Sequence, residues 1–143
     1  MSGAIYLADT SVYVLQGRHP SVRQRFEKLL TEGRLAACQM TSLEYLNNAP
    51  DPRGYAILAG ALRAHRWLDV TAAAMDRAME VHAELAKKSQ HRQFRLPDLI
   101  IAATAELGGA VVLHYDADYD RIAAVSGQAC EWVAPRGSLQ APS

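Results

Sequence analysis

This chain lacks a charge bias, a long apolar run and any paired-cysteine motif. Fifteen basic and fifteen acidic side chains cancel over 143 residues. Bulk charge therefore marks out neither nucleic acid nor membrane as a partner, and any surface for one has to be local. No stretch approaches the roughly 20 consecutive apolar residues that a membrane span needs. The opening "MSGAIYLADT" has no basic segment ahead of its apolar run, which stops at Asp9. No secretion signal is expected, and the expected location is the cytoplasm. Cys38 and Cys130 are the only cysteines; both sit in apolar stretches and neither belongs to a CxxC. That spacing argues against a structural zinc and suits reduced, buried thiols.

Half of the residues are apolar, enough for one domain across 1–143 with its own core, closing in a flexible Ser/Pro/Gly tail from 136. "AIYLAD", "LAACQM", "RWLDV", "AVVLHYD" and "CEWV" read as short strands, and helical patterns separate them. In "HPSVRQRFEKLLTEGR", Val22, Phe26, Leu29 and Leu30 recur at helical spacing before Gly33. A helix is expected to open at Thr41, and a long one to run from Thr71 to Lys88 with Met75, Met79 and His82 on one stripe, read as core or dimer interface. Pro97 suits the first turn of "PDLIIAATAEL". The strands are continuous apolar runs and alternate with helices. This predicts an α/β fold in which a mostly parallel central sheet is covered by helices on both faces, a three-layer sandwich.

The acids fall in one kind of place. Asp9 ends strand 1, Glu44 follows strand 2 in the first turn of a helix, Asp98 opens the helix before strand 4, and Asp116 ends strand 4 with Asp118 two residues on. Strand C-termini and helix N-termini share one edge of an open α/β sheet, and ligands bind there. Each acid also has a local use. "TSLE" fits a capping box, Asp98 suits the helix dipole, Asp118 is a fair N-cap and Asp9 can form an Asx turn. Gathered at one rim they repel. Two such charges about 5 Å apart cost roughly 3 kcal/mol at an effective dielectric near 20, and a domain holds only about 5–15 kcal/mol in all. No Lys or Arg lies within two positions of Asp9, Glu44, Asp98 or Asp116. A hard divalent cation, Mg²⁺ or Mn²⁺, is the simplest compensation.

With "LADTS", "TSLEYL", "LPDLIIAATA" and "LHYDADYDRIA" in this order and spacing, the chain resembles the PIN-domain ribonucleases, specifically the VapC toxins of type II toxin–antitoxin pairs, over residues 4 to 134. The resemblance implies Asp9, Glu44, Asp98 and Asp116 as the catalytic quartet, with metal on Asp9, Asp98 and Asp116. Asp118 is a weaker metal candidate and Ser11 a supporting hydroxyl. It further implies Mg²⁺- or Mn²⁺-dependent hydrolysis of RNA by an activated water, a homodimer, and a cognate VapB-type antitoxin. Two positions depart from the usual pattern. His114 stands where many members have Thr or Ser, which raises a supporting role for it, and Tyr119 replaces the more usual Phe.

RNA needs a positive contact, and "KKSQHRQFR" leads straight to Asp98, with Arg92 and Arg95 the candidate phosphate ligands. Lys87 and Lys88 suit a helix C-terminus without any ligand. Two other readings compete. A haloacid-dehalogenase type of phosphoryl transfer would want Asp at position 11, which is Ser, and a receiver domain would want a late-strand Lys where "HYDAD" supplies acid. A non-catalytic scaffold with the same fold would act only through protein partners.

Overall fold

The computed structural model describes residues 3–139. The chain runs β1 (Tyr6–Ala8), α1 (Thr10–Gln16), α2 (Pro20–Thr31), β2 (Leu35–Ala37), α3 (Gln39–Leu46), α4 (Pro52–Leu62), β3 (Arg66–Trp67) and α5 (Ala72–Lys87). A 3₁₀ turn at His91–Gln93 leads to α6 (Leu96–Leu107), β4 (Val111–His114), α7 (Asp118–Ser126) and β5 (Cys130–Trp132). The five strands form one sheet in the order β3-β2-β1-β4-β5, every pair parallel. The expected α/β sandwich is the observed fold.

Alternation along the strands builds two cores. Leu7, Ala36 and Val112 face one side, where they pack with α5, α6 and α7 through Leu85, Leu99, Ile101 and Ile122. Ala8, Leu35 and Leu113 face the other side, against Val12, Phe26 and Leu29 of α1 and α2. From β1 the chain steps outward to β2 and β3, then crosses back to place β4 on the free side of β1. The strand order therefore reverses between β1 and β4, and the crevice at that reversal is where such sheets bind ligands. Asp9 follows β1 directly, and Asp116 lies two residues past the end of β4.

Local chemistry sets the ends of the elements. Asp9 caps α1 and Thr71 caps α5 by accepting from Ala74 N–H. The Gly-Gly break before β4 holds Gly109 at φ 68°, in the left-handed region that glycine adopts without a Cβ penalty.

Four expectations need correction. The third strand is two residues, Arg66 and Trp67, at the sheet edge, although Leu68 N–H still reaches Ala37 O at 2.9 Å. The helix expected from Thr41 begins at Gln39. Cys38 is its N-cap, and Thr41 Oγ1 accepts from Cys38 N–H at 3.0 Å. Asp118 is the first residue of α7 rather than its cap, which is Ala117. Finally, α5 buries Ala74, Ala78, Val81 and Leu85. Met75 and Met79 are exposed on its flank, lining a groove of about 430 Å³ beside Leu96 and Ile100, so that stripe is not core. The tail expected from 136 lies partly outside the described residues; within them, Leu139 N–H donates to Tyr115 Oη at 3.1 Å. Among the described residues no helix is long and apolar enough to cross a membrane.

Candidate metal centre

The crevice between β1 and β4 collects the acids. Oxygens of Asp9, Glu44 and Asp98 lie within 4.8 Å of one another, and so do oxygens of Asp98, Asp116 and Asp118. All five expected acids are thus brought together, with Asp98 common to both groups. Asp98 is 2% exposed and Asp9 7%, a degree of burial that charged side chains rarely have without a partner.

Each carboxylate is held by its own neighbourhood. Asp9 Oδ2 accepts from Ser11 N–H at 3.2 Å and from Ser11 Oγ at 2.8 Å. Ser11 Oγ in turn accepts from Tyr115 N–H at 3.2 Å, which ties the start of α1 to the end of β4. Asp116 Oδ1 accepts from Asp118 N–H at 2.9 Å. Glu44 Oε1 accepts from Thr10 Oγ1 at 3.2 Å, while Oε2 meets the Arg95 guanidinium. Because α3 starts at Gln39, Glu44 lies in its second turn and cannot reach back to the N-terminal amides. Thr41 does that instead, which leaves Glu44 to cross to α1 and α6.

The electrostatics follow from burial and crowding. Burial, then the charge of Asp9, pushes the Asp98 carboxyl from its ordinary 3.8 up to about 7; Arg95 opposes this, and Glu44 and Asp116 add to it. Asp118 is also raised, by burial and then by Asp116. Arg95 is the one correction to the charge balance expected above. Three positions before Asp98, at the cap of α6, it brings a cation onto the cluster and forms an ion pair with Glu44. Arg92 is exposed on the 3₁₀ turn just before it.

Two aromatic side chains lie beneath the acids. His114 is fully buried, and burial lowers its pKa. Its Nδ1 accepts from Asp116 N–H at 3.1 Å, and its ring packs on Tyr119 and Trp132, so it shapes the floor of the site. Tyr119 Oη donates to Asp9 Oδ1 at 2.8 Å and lies 3.3 Å from Asp98 Oδ1. Burial and these two charges push its pKa well up, so it stays a neutral donor. Sequence reasoning missed Thr10 and the hydroxyl of Tyr119 as site residues. The only signal for Tyr119 was its presence in place of Phe.

The donor set fits a small hard cation. It consists of carboxylate oxygens alone, and opposite ligand oxygens of an octahedral Mg²⁺ stand about 4 Å apart. In each of the two groups the oxygens lie within 4.8 Å of one another, near that spacing.

Comparison with known proteins agrees with this fold. Residues 6–125 match the model of the PIN domain. The chain is 44% identical to Ribonuclease VapC51 of Mycobacterium tuberculosis over 94% of its own length and 96% of that protein's. It is 39% identical to Ribonuclease VapC18 of the same organism, over 94% and 99%. The fold superposes on the DNA-bound VapBC crystal structure from Salmonella typhimurium with a TM-score of 0.75, covering 92% of this chain and 100% of that one at 22% identity. On VapBC-1 from nontypeable Haemophilus influenzae the TM-score is 0.72, covering 90% and 98% at 18% identity. The chain belongs to the PIN-domain family and, within it, to the VapC ribonucleases.

Proposed function

We propose that this protein is an endoribonuclease dependent on Mg²⁺ or Mn²⁺, and that it is the toxin of a toxin–antitoxin pair. One observation carries the reading: carboxylates from four separate segments, two of them buried and the others half-buried, converge at the reversal point of a parallel sheet. Relatives of nearly full length are named ribonucleases, and the structural neighbours include VapBC complexes, which supports both RNA as substrate and an antitoxin as partner.

In this reading Asp9, Asp98 and Asp116 hold the ion and Glu44 completes the catalytic set, with Asp118 in reserve for a second ion. Bound there, a divalent cation supplies an activated water and screens the phosphodiester from the acids. The chain's own residues do the rest. Ser11 fixes the orientation of Asp9, Thr10 that of Glu44, and the Asp118 amide that of Asp116. His114 keeps the Asp116 backbone in place from below. Arg95, exposed at the rim, is positioned to meet a backbone phosphate, with Arg92 beside it; such contacts give affinity without sequence choice. The same reading includes a homodimer, which light scattering in solution tests.

The deciding experiment is RNA cleavage with Mn²⁺, with excess EDTA, and with Asp98→Asn. Cleavage is expected only in the first case, with circular dichroism showing that the variant is folded. Full cleavage in excess EDTA would refute the metal requirement, and no cleavage under any metal would refute the nuclease.

A further inference from the structure

Tyr119 occupies an unusual position for a phenol. The side chain has no solvent exposure and packs in the core that contains Leu99 and Ile122. Its ring lies 4.9 Å from that of His114. A buried tyrosine hydroxyl usually finds a hydrogen-bond partner. Here it meets two carboxylates, Asp9 Oδ1 at 2.8 Å and Asp98 Oδ1 at 3.3 Å, which lie 110 and 21 residues away along the chain. Phenylalanine would fill the same volume, so packing alone does not call for the oxygen.

We infer that Tyr119 is a positioning residue of the metal centre, whose hydroxyl ties the Asp9 and Asp98 carboxylates side by side, with oxygens within 4.8 Å of one another. Left alone, two buried like charges move apart. A single donor between them offsets part of that repulsion and orders both ligands in advance. Asp9 Oδ2 is already engaged by Ser11, so the hydroxyl fixes the other oxygen. An oxygen of Asp9 accepts more than one contact, which leaves Oδ1 able to take an ion as well. The inference rests on the metal-dependent reading above and adds a residue to it.

The test is Mn²⁺ binding to the full chain, measured by electron paramagnetic resonance for wild type, Tyr119→Phe and Tyr13→Phe. Tyr13 is a fitting control because its hydroxyl is buried and without a hydrogen-bond partner among the described residues. Loss of an outer hydrogen bond to a metal ligand typically weakens binding about 10- to 100-fold, and about tenfold is expected for Tyr119→Phe with no change for Tyr13→Phe. Equal affinity in wild type and Tyr119→Phe would overturn the inference, and so would equal weakening in both variants. If wild type itself binds no Mn²⁺, the functional reading fails before this one is reached. Should Tyr119→Phe not fold, the unmutated chain labelled with 3-fluorotyrosine decides. Of its six tyrosine signals, the most solvent-protected must shift on addition of Mg²⁺, and an unmoved signal would overturn the proposal.

Discussion

Replacing Asp98 with Asn should make the metal-free protein more stable at alkaline pH, although it removes a residue the proposed reaction needs. The Asp98 carboxyl is held at about 7 instead of 3.8, first by burial and then by the charge of Asp9. A folded-state pKa above the unfolded one means that the folded chain binds the proton more tightly. The stability this contributes is complete below pH about 4 and is lost as pH rises through about 7. At pH 8 the ionised side chain therefore costs wild type about 2–4 kcal/mol, the upper figure being the full shift at 1.36 kcal/mol per pH unit. Asn reproduces the shape of the protonated acid and keeps an oxygen facing Tyr119, but cannot ionise. In EDTA at pH 8 the variant should melt about 6–12 °C above wild type, at about 3 °C per kcal/mol for a chain of this size. At pH 4 the two should differ by less than about 1 kcal/mol. Saturating Mn²⁺ should then favour wild type, because a ligand bound only by the folded state stabilises the chain that binds it better. Thermal melts at the two pH values, with EDTA or Mn²⁺, give all four comparisons. A variant less stable than wild type at pH 8 in EDTA, or a difference independent of pH, would refute the electrostatic account of the site.

Two further outcomes follow from other parts of the molecule. Arg95→Ala removes the cation paired with Glu44, so Mn²⁺ should bind several-fold more tightly. RNA affinity, measured by fluorescence anisotropy in the Asp98→Asn background, should fall with a salt slope shallower by about 0.7; weaker Mn²⁺ binding would show that the arginine does not compete for the acids. Gly109→Ala meets open space but must hold φ at 68°. It should lose about 1–2 kcal/mol of stability, read as a lower melting temperature with unchanged cleavage per folded molecule.

What the sequence determined by itself was everything set over a few neighbouring residues. Apolar strands alternating with amphipathic helices specify a parallel sheet between two helical layers, because a strand buried on both faces has to be apolar throughout. Asp9, Asp98, Asp116 and Asp118 stand at strand ends and helix starts, and the sheet's geometry assigns all such places to one edge. Even the departure at position 119 was visible as a letter. The tertiary structure decided the rest. It freed Glu44 from capping by starting α3 at Gln39, and it brought Arg95 across 51 positions to meet it. It made the buried ring of His114 part of the floor of the site, and set the Tyr119 hydroxyl between two carboxylates. It also left Met75 and Met79 outside the core, because α5 turned Ala74, Ala78, Val81 and Leu85 inward. Caps and apolar periodicity act between residues close in sequence. Coulomb interactions and side-chain hydrogen bonds depend on distance in space, and that distance exists only once the elements have packed.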